Sequence, residues 1–203
     1  MPCNVGYQET FRATVAAPAS FRASGSGPAL DQDLMDRLGI EDAEFLEWLR
    51  GLDVGPLLGV ALERARKAVP GASFRLSGSR LEVEASRQAD ADRGLARWQF
   101  EVIAVIGEIL GYQTRITSSP SLSLEANKPG QEHATDYFRV SQESDGSLRL
   151  RFEHFKSRRA LDEEVRKLTA LARRLGLDIR IEGGEGGPPG TAQAGGDPVG
   201  SRT

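Results

Sequence analysis

The sequence has few of the residues that mark a secreted, membrane-spanning or metal-dependent protein. It contains one cysteine, Cys3, and two histidines, His133 and His154, so it cannot form an internal disulfide. No stretch approaches the roughly 18 consecutive apolar residues of a membrane span, and residues 1–10 lack the basic and apolar regions of a secretory signal. We therefore expect a cytoplasmic protein that does not enter a membrane.

Positive charge is not in excess either. Lys and Arg number 26 and Asp and Glu number 29, which gives a formal net charge of −3. Such a chain has no overall basic field to attract nucleic acid or anionic lipid. Contact with a polyanion would therefore depend on a local cluster of cations.

The sequence also lacks a motif that commits it to one chemistry. After loss of the initiator methionine, the amine of Pro2 can act as a general base. Cys3 can act as a nucleophile with His133 or His154 as its base, or the three can bind a metal. Their spacing matches no known signature, so we favour a strand start at Pro2 and hydrogen-bonded histidines, and predict no cofactor and no metal.

What the sequence does contain is a series of amphipathic segments. The first 70 residues predict one strand, one linker and up to three helices. The strand is predicted at 5–15, the linker at 16–28 and the helices at 31–38, 42–52 and 56–69.

Two later segments, residues 74–116 and 138–181, share one pattern of strand, strand, helix and strand. Each begins with alternating apolar and polar residues around a turn, Gly78-Ser79 in the first copy and Asp145-Gly146 in the second. Each helix then ends at Leu-Gly, at Gly111 and Gly176, where glycine suits a left-handed C-cap. We interpret the two segments as an internal repeat; chance is the alternative, since any hairpin, helix and strand share this pattern.

These elements predict an α+β fold, a ferredoxin-like β-α-β-β-α-β core with a second β-β-α-β repeat and a helical insertion. The predicted units are a ferredoxin-like domain at 1–117 with an insertion at 16–55, a connector at 118–134, the repeat at 135–182 and a disordered tail at 183–203. The tail is rich in Gly and Pro. Its glycine-rich start lacks the Lys-Ser/Thr and the following helix of a phosphate-binding loop.

One face of the sheet is predicted to carry arginine. If alternate residues of the strands face the helices, the opposite face collects seven binding candidates: Arg75, Arg115, Tyr137, Arg139, Arg149, Arg151 and Arg180. Phe155 is predicted to join them. Arginine beside aromatic rings on an open sheet is typical of some single-stranded RNA binders, whereas cross-strand Arg and Glu pairs on a solvated face are the plainer interpretation.

A second cationic group opens the helix of the second copy. Lys156, Arg158 and Arg159 flank Ser157, and the exposed N–H groups of a helix start can hold an anion. The favoured alternative is a Ser157 cap on a solvated first turn whose charges are balanced by nearby carboxylates.

Part of the chain resembles a known family. The stretch from Phe100 through LGYQTRITSS to YFRVSQESDGSLRLRF is similar to the end of the Ycf-type domain of unknown function of cyanobacteria and plastid genomes. The opening Met1-Pro2-Cys3-Asn4 is similar to some small relatives. DYFRVSQESDGSLRLRFEHF, with the helix and Leu175-Gly176 that follow, resembles a short companion family built as strand, Asp-Gly turn, strand and helix. Such families are neighbours of MoxR-type AAA ATPases, so the resemblance implies an accessory role.

The leading functional hypothesis is a non-catalytic protein-interaction or accessory module, with an AAA ATPase as a candidate partner. RNA or polyanion binding through the arginine face is the first alternative. A small enzyme that uses Pro2 or Cys3 is the second.

Overall fold

The computed structural model describes residues 7–16, 37, 39–77, 80–129, 136–144 and 147–185. These residues form eight strands and four helices. In chain order they are β1 (Tyr7–Ala16), α1 (Ala43–Gly51), α2 (Val54–Ala68), β2 (Ala72–Ser77), β3 (Arg80–Ala85), α3 (Gln88–Ile109), β4 (Gln113–Thr117), β5 (Ser123–Asn127), β6 (Tyr137–Gln142), β7 (Leu148–Phe155), α4 (Arg158–Arg174) and β8 (Asp178–Glu185).

The strands form two separate antiparallel sheets. The large sheet has six strands in the order β4-β5-β6-β7-β1-β8, and β2 and β3 form a hairpin of their own. Every neighbouring pair in the large sheet is antiparallel. This arrangement of helices on antiparallel sheets confirms the predicted α+β class.

The ferredoxin-like topology is not confirmed. In the described chain the strands assigned to that core are divided: β1 lies between β7 and β8, β4 lies at the far edge of the large sheet, and β2 pairs with β3. The element order β-α-β-β-α-β does occur from β1 to β4, with α1 as an extra helix before α2. The alternation of apolar and polar residues shows which face of a strand is buried, but not which strand lies beside it. The order of elements along the chain therefore did not determine how the strands pair.

Helix α3 is the centre of the core. Its residues 100–107 are all buried, which is the pattern of a helix that is covered on every side. The helix packs on α2 along with both sheets: Gly94 lies against Val83 and Ala72 of the β2–β3 hairpin, and Gly107 lies against Thr114 and Phe138 of the large sheet. α3 therefore joins the two sheets into one hydrophobic core.

The two predicted left-handed C-caps are both present. Gly111 and Gly176 have φ of 90° and 82°. Tyr112 N donates to Gly107 O at 2.9 Å, and Leu177 N donates to Ala172 O at 2.8 Å. Both helices thus end in a Schellman motif whose next residue is buried, as expected for glycine after the last helical turn.

The two proposed repeats contain the same elements in different surroundings. Hairpin β6–β7 lies in the large sheet, whereas β2–β3 packs on α3 outside it. Both predicted hairpin turns lie outside the described residues. The repeated sequence pattern therefore describes local elements, and it does not extend to the pairing of the strands.

Several predicted boundaries can be placed on the structure. The segment predicted as a connector, 118–134, contains β5, and the predicted insertion, 16–55, contains α1 and the start of α2. β8 reaches Glu185, so the first residues assigned to the tail belong to a strand. The linker was predicted at 16–28; Ala16 is the last residue of β1, and residues 17–28 lie outside the described residues, as do most of the helix predicted at 31–38 and the tail after 185.

Candidate functional site

The large sheet has one face covered by helices and one that the described helices leave uncovered. Along β6 and β7, Phe138, Val140 and Leu150 are buried, while Arg139 and Arg151 between them are exposed. This is the two-residue alternation of a half-buried sheet. We call the uncovered side, which carries these arginines, the open face.

Four of the predicted binding residues form neighbouring positions on the open face. Arg115 is the cross-strand partner of Glu125, Glu125 is that of Arg139, and Arg139 is that of Arg151. These four residues therefore lie in one row across β4, β5, β6 and β7. Arg149 lies in the next row, opposite Ser141. Side chains that face each other across strands come within about 5 Å at Cβ, so the row is a single continuous surface.

The row contains an unusual pair of like charges. Arg139 and Arg151 are direct cross-strand partners, and Arg12 of β1 is the backbone partner of Arg149. Like charges directly opposite each other destabilise a sheet. On the neighbouring strand β5, Glu125 is the other cross-strand partner of Arg139, so Arg139 lies between a carboxylate and a second guanidinium group.

Carboxylates on the same face compensate some of these arginines. Arg149 Nε lies 3.2 Å from Glu143 Oε1, and Arg151 forms a 2.5 Å ion pair with Glu153. Within the described part of the chain, neither Arg115 nor Arg139 makes an ion pair. Arg139 is thus an exposed cation that faces a second cation.

A bulge in β7 shapes the end of this row. His154 has φ of 68°, and β1 advances two residues, from Tyr7 to Glu9, where β7 advances three, from Phe155 to Phe152. The extra residue in β7 reverses the side-chain alternation after Glu153. The alternation of side chains along the strand predicted that Phe155 faces away from the helices. This prediction is wrong, because Phe155 is 2% exposed and packs edge-to-face on Phe152.

The bulge borders a shallow depression of about 230 Å³ on the open face. It is lined by Asn127, Tyr137, Arg139, Arg151, Glu153 and His154. Burial raises the pKa of Tyr137, and the charge of Glu125 raises it further against the opposing effect of Arg139, so the phenol stays neutral at physiological pH. The depression therefore offers neutral hydroxyl and amide groups beside two guanidinium groups.

Two predicted face residues are placed apart from this row. Arg75 lies in β2, opposite Glu82 of the separate hairpin, so it does not share a sheet with the other arginines. Arg180 lies in β8, where its backbone partner is Thr14 of β1.

The predicted cationic helix start has the geometry of a capped, solvated turn. Ser157 is the N-cap of α4, and its hydroxyl accepts from Ala160 N at 3.2 Å. Arg159 is paired with Glu41, and Arg158 Nε lies 3.8 Å from Asp162 Oδ2. Lys156 is exposed before the cap.

The residues considered for catalysis are mostly outside the described residues. These are Pro2, Cys3 and His133. His154 is partly exposed, with its Nε2 3.7 Å from Glu153 Oε2. Within the described ranges, no group of three or more His, Cys, Asp or Glu side chains is arranged to hold a metal ion.

Sequence reasoning missed the contribution of β5. Glu125 and Asn127 lie on the open face, but they fall in a segment interpreted as a connector. The alternation Leu122, Leu124, Ala126 with polar residues between was the available signal. Pro120 before the segment and Pro129 after it made a loop the simpler interpretation.

Comparison with known proteins gave no assignment. None of the helices in the described part of the chain is long and apolar enough to span a membrane. No protein-family model, no curated protein and no solved structure matches the chain. The resemblance to the Ycf-type family and its companion therefore stays a prediction from the quoted residues.

Proposed function

We propose that the chain is a non-catalytic interaction module whose open face binds an acidic segment of a protein partner. The observation that carries this proposal is the pair Arg139 and Arg151, two exposed guanidinium groups placed directly opposite each other. Glu125 and Glu153 compensate part of this positive charge, and carboxylates of a partner would neutralise the rest. Arginine binds carboxylates with two parallel hydrogen bonds and is enriched at protein interfaces.

The mixture of charges on this face favours a protein over a nucleic acid. Glu125, Glu143 and Glu153 lie among the arginines, and the whole chain is acidic. A phosphate backbone carries negative charge at every step and would meet these carboxylates. An acidic protein segment can place its own carboxylates on the arginines and neutral or basic groups beside the glutamates.

A MoxR-type AAA ATPase is the first partner to test. This choice rests on the resemblance of residues 136–155 to the short companion family. An accessory module of this kind needs a recognition surface and no catalytic group, which agrees with the absence of a recognisable catalytic motif in the sequence.

Single-stranded RNA is the second candidate, and Tyr137 is the observation that favours it. The ring lies in the depression with Arg139 and Arg151, an arrangement that can stack a base between an aromatic ring and a guanidinium group. RNA-binding sheets of this kind stack several bases on several aromatic rings, whereas the described part of the open face offers one aromatic residue, Tyr137. RNA is therefore the second candidate and not the first.

The test compares the wild-type chain with the Arg139→Ala/Arg151→Ala variant. Binding to a fluorescent 12-residue Glu- and Asp-rich peptide, to a MoxR-type ATPase from the same organism and to a uridine 12-mer is measured by anisotropy at several salt concentrations. We expect the variant to bind the peptide and the ATPase at least about tenfold more weakly, because it loses two charge-assisted contacts.

The matched control is Arg158→Ala/Arg159→Ala, which removes two exposed arginines away from the open face. We expect it to retain binding, and we expect the unfolding midpoint of the Arg139/Arg151 variant to stay the same or rise. Stronger binding of the uridine 12-mer, lost in the same variant with a steep salt dependence, would replace the protein partner with RNA. Equal loss in both variants would reject the open face.

A further inference from the structure

We infer that a second surface, a cleft beside α3, binds a small organic anion with an apolar body. The cleft has a volume of about 660 Å³ and lies between the C-terminal end of α2, the first half of α3 and the β4–β5 loop. This volume falls within the range of about 300–1,000 Å³ typical of small-molecule sites. It shares no lining residue with the depression on the open face.

One wall of the cleft holds a fixed guanidinium group. Arg97 donates to Oε1 of Glu101 from Nε at 2.9 Å and from Nη2 at 2.7 Å, and its Nη1 donates to Ser118 Oγ at 3.0 Å. Glu101 is 4% exposed and therefore holds Arg97 in a defined position. These bonds use three of the five N–H donors of arginine, and the other two have no hydrogen-bond partner among the described residues.

A second arginine lines the cleft one helical turn before the first. Arg93 and Arg97 are four residues apart on α3, so both lie on the same side of the helix. Arg93 is exposed, and its closest described carboxylate contact is Asp90 at 3.4 Å. Asp92, the carboxylate among the described lining residues, accepts a hydrogen bond from Gln88 Nε2 at 2.8 Å.

The remaining wall is largely apolar. Val69 at the end of α2, Ala96 on α3 and Leu122 after the loop line it, with Gln142 and Ser121 at its polar margin. A cleft with two guanidinium groups on one side and aliphatic carbon on the other suits a ligand with an anionic head and a short hydrocarbon body. Carboxylates and phosphates are the heads that arginine binds best.

The ion pair of Arg97 and Glu101 is compatible with a ligand-binding role. A buried Arg and Glu pair is often no more stabilising than an apolar pair of the same volume, because both charges must leave water. Here the pair brings a charged donor to the edge of an apolar cleft. An anionic ligand would use that donor without any rearrangement of the helix.

The test uses three probes with the same eight-carbon body: octanoate, octyl phosphate and neutral octanol. Binding to the full chain is measured by isothermal titration calorimetry and by saturation-transfer NMR. We expect saturable binding of at least one anion, about tenfold or more tighter than that of octanol. The better anion identifies the head group as carboxylate or phosphate.

Two variants test the arginines. Arg97→Met/Glu101→Leu removes both buried charges together and so leaves no unpaired charge in the core, and Arg93→Gln changes an exposed side chain that the fold does not require. We expect about tenfold weaker anion binding in the first and a smaller loss in the second, with octanol affected in neither. Arg159→Gln is the control, because Arg159 is exposed at the start of α4, outside both the cleft and the open face, and this variant should bind as the wild type does.

The inference is overturned if the wild type binds neither anion saturably. It is also overturned if octanol binds as tightly as the anions, or if Arg93→Gln and Arg159→Gln have the same effect. Because Arg93→Gln keeps the buried pair intact, its result stands even if the double variant fails to fold.

Discussion

At the scale of single residues, two glycines determine how closely α3 approaches its neighbours. A Cβ at Gly94 would lie 2.8 Å from Cγ1 of Val83 and 3.1 Å from Cβ of Ala72, both in the β2–β3 hairpin. A Cβ at Gly107 would lie 3.0 Å from Cγ2 of Thr114 in the large sheet. Each glycine thus allows one sheet to pack against the helix backbone.

We predict that Gly94→Ala destabilises the protein although alanine is the better helix former. The added methyl group would overlap the hairpin, and overpacking of this kind costs about 1–3 kcal/mol. Gly59→Ala in α2 is the matched control, because nothing lies within 4 Å of its Cβ position, and it should stabilise by about 0.5–1 kcal/mol. Urea unfolding measures both; a stabilising Gly94→Ala would contradict the close packing of hairpin and helix.

At the scale of elements, an ion pair joins α2 to α3 and to the edge of the large sheet. Arg64 donates to both carboxylate oxygens of Glu108, from Nη1 at 2.7 Å and from Nη2 at 3.0 Å. Thr114 of β4 donates its hydroxyl to Glu108 Oε1 at 2.9 Å. Burial raises the pKa of Glu108, but the hydrogen bonds from Arg64 and Thr114 and the charge of Arg64 outweigh it, so the pKa lies below its ordinary value of 4.5.

We predict that the stabilising effect of this pair is lost in acid. A carboxyl group whose folded pKa is lowered stabilises the fold above its ordinary pKa, and that contribution disappears as the pH falls through the folded pKa. Arg64→Met should therefore cost about 0.5 kcal/mol at pH 7, a small value because both side chains are about 40% exposed. The cost should shrink as the pH falls below 4.5.

The control for this prediction is the same substitution in a Glu108→Gln background. There the loss of Arg64 should show no dependence on pH, because its titrating partner is absent. The measurement is chemical unfolding, between pH 2.5 and pH 7, of the wild type, the two single variants and the double variant. A cost of Arg64→Met that stays constant across this range would show that Arg64 acts by packing alone.

At the scale of the whole molecule, the large sheet joins the two ends of the described chain. β1, the first strand, pairs with β7 on one side and with β8, the last strand, on the other. Helix α3 joins this sheet to the β2–β3 hairpin. The sheet therefore depends on contacts between residues that are far apart in sequence, which is typical of slow and cooperative folding.

We predict that a proline in β1 disrupts the whole sheet. Thr10 is in register with Arg151 of β7 and with Glu185 of β8, so its strand is hydrogen-bonded on both sides. Thr10→Pro removes a ladder donor and should lower the free energy of unfolding by at least about 2 kcal/mol. The control is Thr10→Val, which suits a strand and whose free energy of unfolding should stay within about 1 kcal/mol of the wild type. Urea unfolding measures both variants. If Thr10→Pro changed the free energy of unfolding as little as Thr10→Val does, β1 would not be a central strand.

Local patterns were sufficient for most elements and for part of the candidate surface. The alternation in β6 and β7 predicted the exposed positions of Arg139, Arg149 and Arg151, because side chains of a strand point to opposite faces in turn. It failed at Phe155, since a single bulged residue with left-handed backbone reverses that alternation and no glycine marks the position. The depression beside His154 was therefore not predictable.

The sequence by itself determined the α+β class and the helix ends at Gly111 and Gly176, since caps and amphipathic periods depend on residues close together in the chain. Only the tertiary structure decided that β1 lies between β7 and β8, that β2 and β3 form their own sheet and that Arg139 faces Arg151. Backbone hydrogen bonds are chemically alike in every strand, so the choice of partner comes from how the buried faces pack on α3 and α4.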